Sequence, residues 1–197
     1  MTLGERTERG RRIAERSLDR WTERLGEPKD LEDLLALRLT HATWDPFIAE
    51  TLRVVPSERE VVRGIRRAEL VAVDVRMVAA GIRRSLDRLG LEARVASEEG
   101  AESGGDTVTG DGMRRILEEH ENVAVVVGNA PTAAEKVGEY RDSVSVALLF
   151  PVGLGSVEVK FEGLDWGIPL VTNLSVRGGT PLAVAAFNAL VDYALES

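Results

Sequence analysis

Residues 123–133 read VAVVVGNAPTA, and the architecture follows from them. Five consecutive small β-forming side chains suit a strand buried on both faces, as in a parallel sheet with helices above and below. Gly128 and Asn129 suit a tight turn, and Pro131 suits the first position of a helix. The order is therefore strand, loop, helix. Ligands of open α/β sheets gather outside the carboxyl ends of the strands, where a helix start offers unpaired N–H groups to an anion. A plain βα turn has the same pattern.

The same alternation extends outward in both directions. Strand patterns occur at 52–55, 70–75, 91–96, 143–150 and 168–174. Helical patterns cover 8–25 (with Ile13, Leu18, Trp21 and Leu25 apolar), 31–43, 57–67, 76–89 (Met77, Val78, Ile82 and Leu86 inward), 112–121, 133–140 and 180–195. Thr180 reads as the N-cap of the last helix, with Pro181 following. Residues 97–111, acidic and rich in Gly and Ser, read as a loop or a lid. The reading is an α/β fold, a three-layer α/β/α sandwich with a mainly parallel sheet of about five strands, in a single domain over residues 1–197. Three strand ends, VGNAPT, PVGLGS and SVRGGT, finish in glycine turns that a parallel sheet would gather on one edge.

Composition narrows the function. The chain has no cysteine and two histidines, which removes disulfides, thiolate catalysis and clustered zinc ligands. A net charge of −8 argues against nucleic acid and anionic membrane as partners. No apolar run approaches a transmembrane span, and the first residues lack the apolar core of a secretory signal, so the expectation is a cytoplasmic protein. No phosphate loop or dinucleotide fingerprint is present.

The helix at 31–43 holds the most informative side chains. Leu31, Leu34 and Leu35 define a buried stripe, and three-residue steps continue it onto Arg38 and His41. A cation and an imidazole stand where leucine is expected, so they should meet a carboxylate, a ligand or another subunit. A structural His–Asp pair is the alternative. Ser17 lies beside the apolar stripe of the first helix, where serine is ordinarily neutral filler. Asp74, at a strand end, is either a helix cap or a ligand-side carboxylate. His120, in LEEHEN, reads as solvent-exposed.

These pieces together resemble the precorrin-8X methylmutases, also called cobalt-precorrin-8 methylmutases, of cobalamin biosynthesis. The resemblance rests on IAERS (13–17), RLTHAT (38–43), DVRMVAAGI (74–82), GNAPTA (128–133), PVG (151–153) and GGTPLAVAAFNAL (178–190). It implies an isomerase that moves a methyl group from C-11 to C-12 of precorrin-8X or cobalt-precorrin-8, giving hydrogenobyrinate or cobyrinate without a cofactor or metal. It also implies that His41 exchanges the proton that lets the conjugated ring rearrange, that Ser17 and Arg38 contact the corrin-type tetrapyrrole, and that the protein is a homodimer with the site near the subunit interface. A carboxylate-fringed macrocycle suits Arg38, Arg177 and the GNAPT turn, including Asn129 and Thr132, as substrate-binding groups.

The sequence departs from the family in three places, one of them a shorter, altered loop after PVG (151–153). A T-R-S segment is replaced by Thr107, Val108 and Thr109, and R-G-R-K-G-G by residues 174–179, LSVRGG. With two arginines fewer, a diverged tetrapyrrole-binding paralogue without mutase activity is the alternative.

Overall fold

The computed structural model describes residues 7–100 and 106–197. Helix α1 (Glu8–Leu25) is capped by Thr7, and α2 (Leu31–Thr43) by the Asp30 carboxylate, which accepts from Asp33 N–H at 2.9 Å. A short α3 (Phe47–Thr51) leads into β1 (Leu52–Val55) and α4 (Glu58–Arg66). Next come β2 (Leu70–Val73), α5 (Arg76–Leu89), β3 (Ala93–Val95) and α6 (Ala96–Glu99). Then follow α7 (Val108–Glu119), β4 (Val123–Val127), α8 (Pro131–Glu139) and β5 (Val144–Leu149). The chain ends with α9 (Ser156–Gly163), β6 (Leu170–Asn173) and α10 (Thr180–Glu196).

The six strands form one sheet in the order β1-β6-β5-β4-β2-β3. All neighbours are parallel except edge strand β1, which pairs with β6 antiparallel. The sandwich is as expected, with one strand more than about five. β4 lies near the middle, and all five of its side chains are fully buried. Because successive side chains point to opposite faces, Ala124 and Val126 join the core under α2, α4, α5 and α10, while Val123, Val125 and Val127 join the core under α7, α8 and α9. Full burial of a valine side chain is worth about 1.5–3 kcal/mol, so this strand gives stability to both layers.

Several local expectations change. α7 begins at Val108 rather than at 112, because the Thr107 hydroxyl accepts from Gly110 N–H at 3.0 Å and caps it. Asp111 is therefore buried in a helix; residues 101–105 of the expected loop lie outside the described residues. α10 is capped by Gly179 at φ 104°, leaving the Thr180 hydroxyl for another contact. Met77 is exposed, since inward positions of α5 are filled by Val78, Ile82 and Leu86 at four-residue spacing. Ile13 and Leu25 are also exposed, so α1 is anchored mainly by Trp21 and Ala14. Among the described residues no helix is long and apolar enough to cross a membrane.

Candidate active site

α1 packs on α2, and this docking brings Ser17 to His41. The Ser17 hydroxyl lies 2.8 Å from His41 Nδ1, with both residues half-buried. Thus the serine that looked like filler orients the imidazole. One turn earlier on α2, Arg38 is buried and faces Asp192 of α10 at 3.8 Å. Asp192, itself buried, also binds Arg88 of α5. One carboxylate therefore compensates two cations, which is how a charge is tolerated on an otherwise leucine stripe. The partner of Arg38 was not legible in the sequence because it comes from a helix about 150 positions away.

The carboxyl edge of the sheet gathers the glycine turns, as expected. Gly128 faces Thr180 so closely that an added Cβ would sit 3.0 Å from its Cα. An added Cβ at Gly178 would collide with the carbonyl oxygens of Phe150 and Pro151, while Val152 N–H donates to the Asn129 carbonyl at 3.2 Å. These close approaches explain why glycine stands at the ends of β4 and β6.

One expectation is overturned at this edge. The GNAPT turn does not hold its N–H groups open for a ligand, because the carboxylate of Asp74 fills that place. Asp74 Oδ2 accepts from the N–H groups of Gly128 (3.2 Å), Asn129 (2.6 Å) and Ala130 (3.0 Å), and Oδ1 accepts from Val75 N–H at 3.0 Å. Asp74 is fully buried and ties the end of β2 to the start of α8. The anion at this helix start is supplied by the protein itself.

The other predicted groups have identifiable partners. The Asn129 side chain donates from Nδ2 to Thr180 Oγ1 at 2.8 Å, and Thr132 Oγ1 lies 2.6 Å from Thr107 Oγ1. Arg177, on the loop after β6, pairs with Asp45 and places its guanidinium 4.4 Å over the Phe47 ring. Asp45 and Phe47 follow the end of α2, so Arg177 connects the glycine edge to the helix of His41. The structure brings Ser17, Arg38 and His41 together on α1 and α2, and Asn129, Thr132 and Arg177 around the carboxyl edge. His120 is half-buried, not exposed, with Nε2 3.4 Å from Arg94 Nη1, and it stands apart from both groups.

Sequence reasoning passed over Lys160. It stands in α9, fully buried, and its ammonium donates to the carbonyls of Ser175 (2.9 Å) and Arg177 (2.6 Å). Burial pulls its pKa from the ordinary 10.5 down to about 8. The only sequence signal was its rarity, one of three lysines among 25 basic residues. An open cleft of about 410 Å³ between α4 and the end of α10, lined by Arg59, Arg63, Arg66 and Tyr193 among others, includes none of the residues above.

Comparison with known proteins places the whole chain. The family model described as precorrin-8X methylmutase matches residues 12–193. Cobalt-precorrin-8 methylmutase of Methanothermobacter thermautotrophicus is 32% identical over 205 residues, covering 96% of both chains. The cobalamin biosynthesis protein CbiHC of Archaeoglobus fulgidus is 32% identical over 160 residues; the match covers 80% of this chain and about a third (34%) of that protein. The crystal structure of precorrin-8x methyl mutase from Thermus thermophilus superimposes with a TM-score of 0.83 at 26% identity, covering 95% of this chain and 97% of that one. With a matching family model over residues 12–193, a relative 32% identical along 96% of both chains and the same fold, the chain belongs to the precorrin-8X methylmutase family.

Proposed function

We propose that this protein moves a methyl group from C-11 to C-12 of precorrin-8X or cobalt-precorrin-8, giving hydrogenobyrinate or cobyrinate, with His41 as the proton-transfer residue. Family members are isomerases whose methyl transfer is intramolecular, so the reaction draws its methyl group from the substrate itself. The observation that supports the reading is the 2.8 Å contact of Ser17 with His41 Nδ1. A hydroxyl there fixes the rotation of the imidazole, and proton exchange with the macrocycle runs through Nε2. General acid–base help of this kind is worth about 10²–10⁴-fold in rate.

Arg38 and Arg177 supply guanidinium forks for the peripheral carboxylates, with Asn129 and Thr132 as neutral hydrogen-bonding groups along the same edge. The proposal includes a homodimer in the cytoplasm. Ile13, Trp44 and Phe47, all exposed large apolar residues near the Ser17–His41 end, support an intersubunit contact there.

The test is turnover of precorrin-8X by the wild type and by His41→Ala, followed by the change in visible spectrum, with binding of the product hydrogenobyrinate measured in parallel. The variant is expected to fold, to bind product, and to lose at least about a hundredfold in kcat. Unchanged turnover would refute the role of His41. Tight binding by the wild type with the macrocycle recovered unrearranged would establish the binding paralogue instead.

A further inference from the structure

We propose that Lys160 is a positioning residue for substrate binding: from inside α9 it fixes the loop that presents Arg177. This rests on Arg177 being a substrate contact in the reading above. The loop after β6 has little apolar content to hold it, with Val176 and Arg177 both exposed. Its shape is set instead by polar anchors. Lys160 Nζ bridges the carbonyls of Ser175 and Arg177, two residues apart, and so fixes the curvature of the backbone between them.

Asn173 reinforces the bridge. Its Nδ2 donates to Ser175 Oγ at 2.6 Å and to the Arg177 carbonyl at 3.0 Å, and Arg177 N–H donates to Ser175 Oγ at 3.2 Å. At the far end Gly179 N–H is fixed to the Phe150 carbonyl at 2.8 Å.

A fully buried ammonium whose acceptors are two loop carbonyls is a costly anchor. No carboxylate lies within ion-pair distance of it among the described residues. Its cost is explained if the loop must hold one conformation while carrying a charged side chain on an exposed tip. The consequence of this tie is directional. Arg177 already reaches toward Asp45 and Phe47 beyond α2, so the anchored loop sets where the guanidinium stands relative to the helix of His41.

The experiment compares Lys160→Met, Arg177→Ala and the double variant in turnover, product binding and amide hydrogen exchange. Lys160→Met is expected to raise KM and weaken product binding about tenfold, with kcat within about twofold, and to speed exchange of the amides of residues 174–178. In the Arg177→Ala background it should add less than about twofold, because both changes remove the same contact. An unchanged KM, or effects that multiply in the double variant, would overturn the proposal. Should Lys160→Met fail to fold, Lys160→Gln keeps a shorter donor and Ser175→Ala loosens the loop without touching the core. Both are expected to raise KM in the same direction, and a normal KM in both would overturn it. If the wild type neither binds nor converts any corrinoid, the functional reading fails. The exchange of residues 174–178 in the variants then still decides whether Lys160 holds the loop.

Discussion

Replacing Asp74 with asparagine tests whether the carboxylate is what organises the carboxyl edge of the sheet. Asp74 accepts four backbone N–H groups from two separate segments while fully buried. An amide can direct only one oxygen to that set. Placed toward Gly128, Asn129 and Ala130, it keeps three bonds but makes them neutral, each weaker by about 1 kcal/mol than its charge-assisted counterpart. The amide nitrogen then faces Val75 N–H, which loses its acceptor at a cost of about 1–3 kcal/mol. The sum is about 4–6 kcal/mol. For a domain of this size each kcal/mol lowers Tm by about 2–4 °C, so Asp74→Asn should melt roughly 8–24 °C below the wild type. The assay is thermal unfolding followed by far-UV circular dichroism, with Asn129→Ala as a control that removes only the side-chain bond to Thr180. A fall under about 3 °C for Asp74→Asn would refute the reasoning, since the turn would then be holding itself.

Two further outcomes follow from buried charge. Asp192→Asn leaves Arg38 and Arg88 facing an uncharged group, and it is expected to cost about 2–4 kcal/mol of unfolding free energy, measured by denaturant titration, while Asp192→Glu costs less. For Lys160 the pKa is lower in the folded chain than in the unfolded chain, so between about pH 8 and 10.5 the unfolded state binds the extra proton and stability gains as pH rises. The shift corresponds to about 3 kcal/mol at most. The difference between wild-type and Lys160→Met stability curves should therefore change across that window and stay flat below pH 7; a difference independent of pH from 7 to 10.5 would count against the buried cation.

The layers of this fold were legible because their signals are local. Five apolar residues in a row at 123–127, helical spacing at 31–43 and the Thr-Pro start of α10 each depend on a few neighbours. α3, α6 and α9 were not legible: two have five residues or fewer, and α9 alternates polar and apolar side chains along VEVKF. The site was half legible. Arg38 and His41 stood out as polar residues on a leucine stripe, and family resemblance supplied Ser17. What escaped was pairing across distance. Neither the 54-to-56-residue separation between Asp74 and its turn nor the reach of Lys160 into the loop of Arg177 leaves a periodic trace in the sequence. A helix start with free N–H groups and one already filled by a carboxylate read identically until the chain is folded.

The docking of α1 has a consequence for regulation by population. The principal neighbour of α1 is α2, its deepest side chain is Trp21, and Trp21 meets Trp44 edge-on with ring centroids 5.1 Å apart. Ser17 therefore reaches His41 only in molecules whose first helix is seated. If seating is favoured by about 2 kcal/mol, a truncation that weakens it by about 3 kcal/mol lowers the seated fraction from nearly all molecules to about one in six and lowers observed turnover in proportion, while each seated molecule works at its full rate. Substitutions at Trp21 or Trp44 would then imitate a damaged active site without altering a single reacting group.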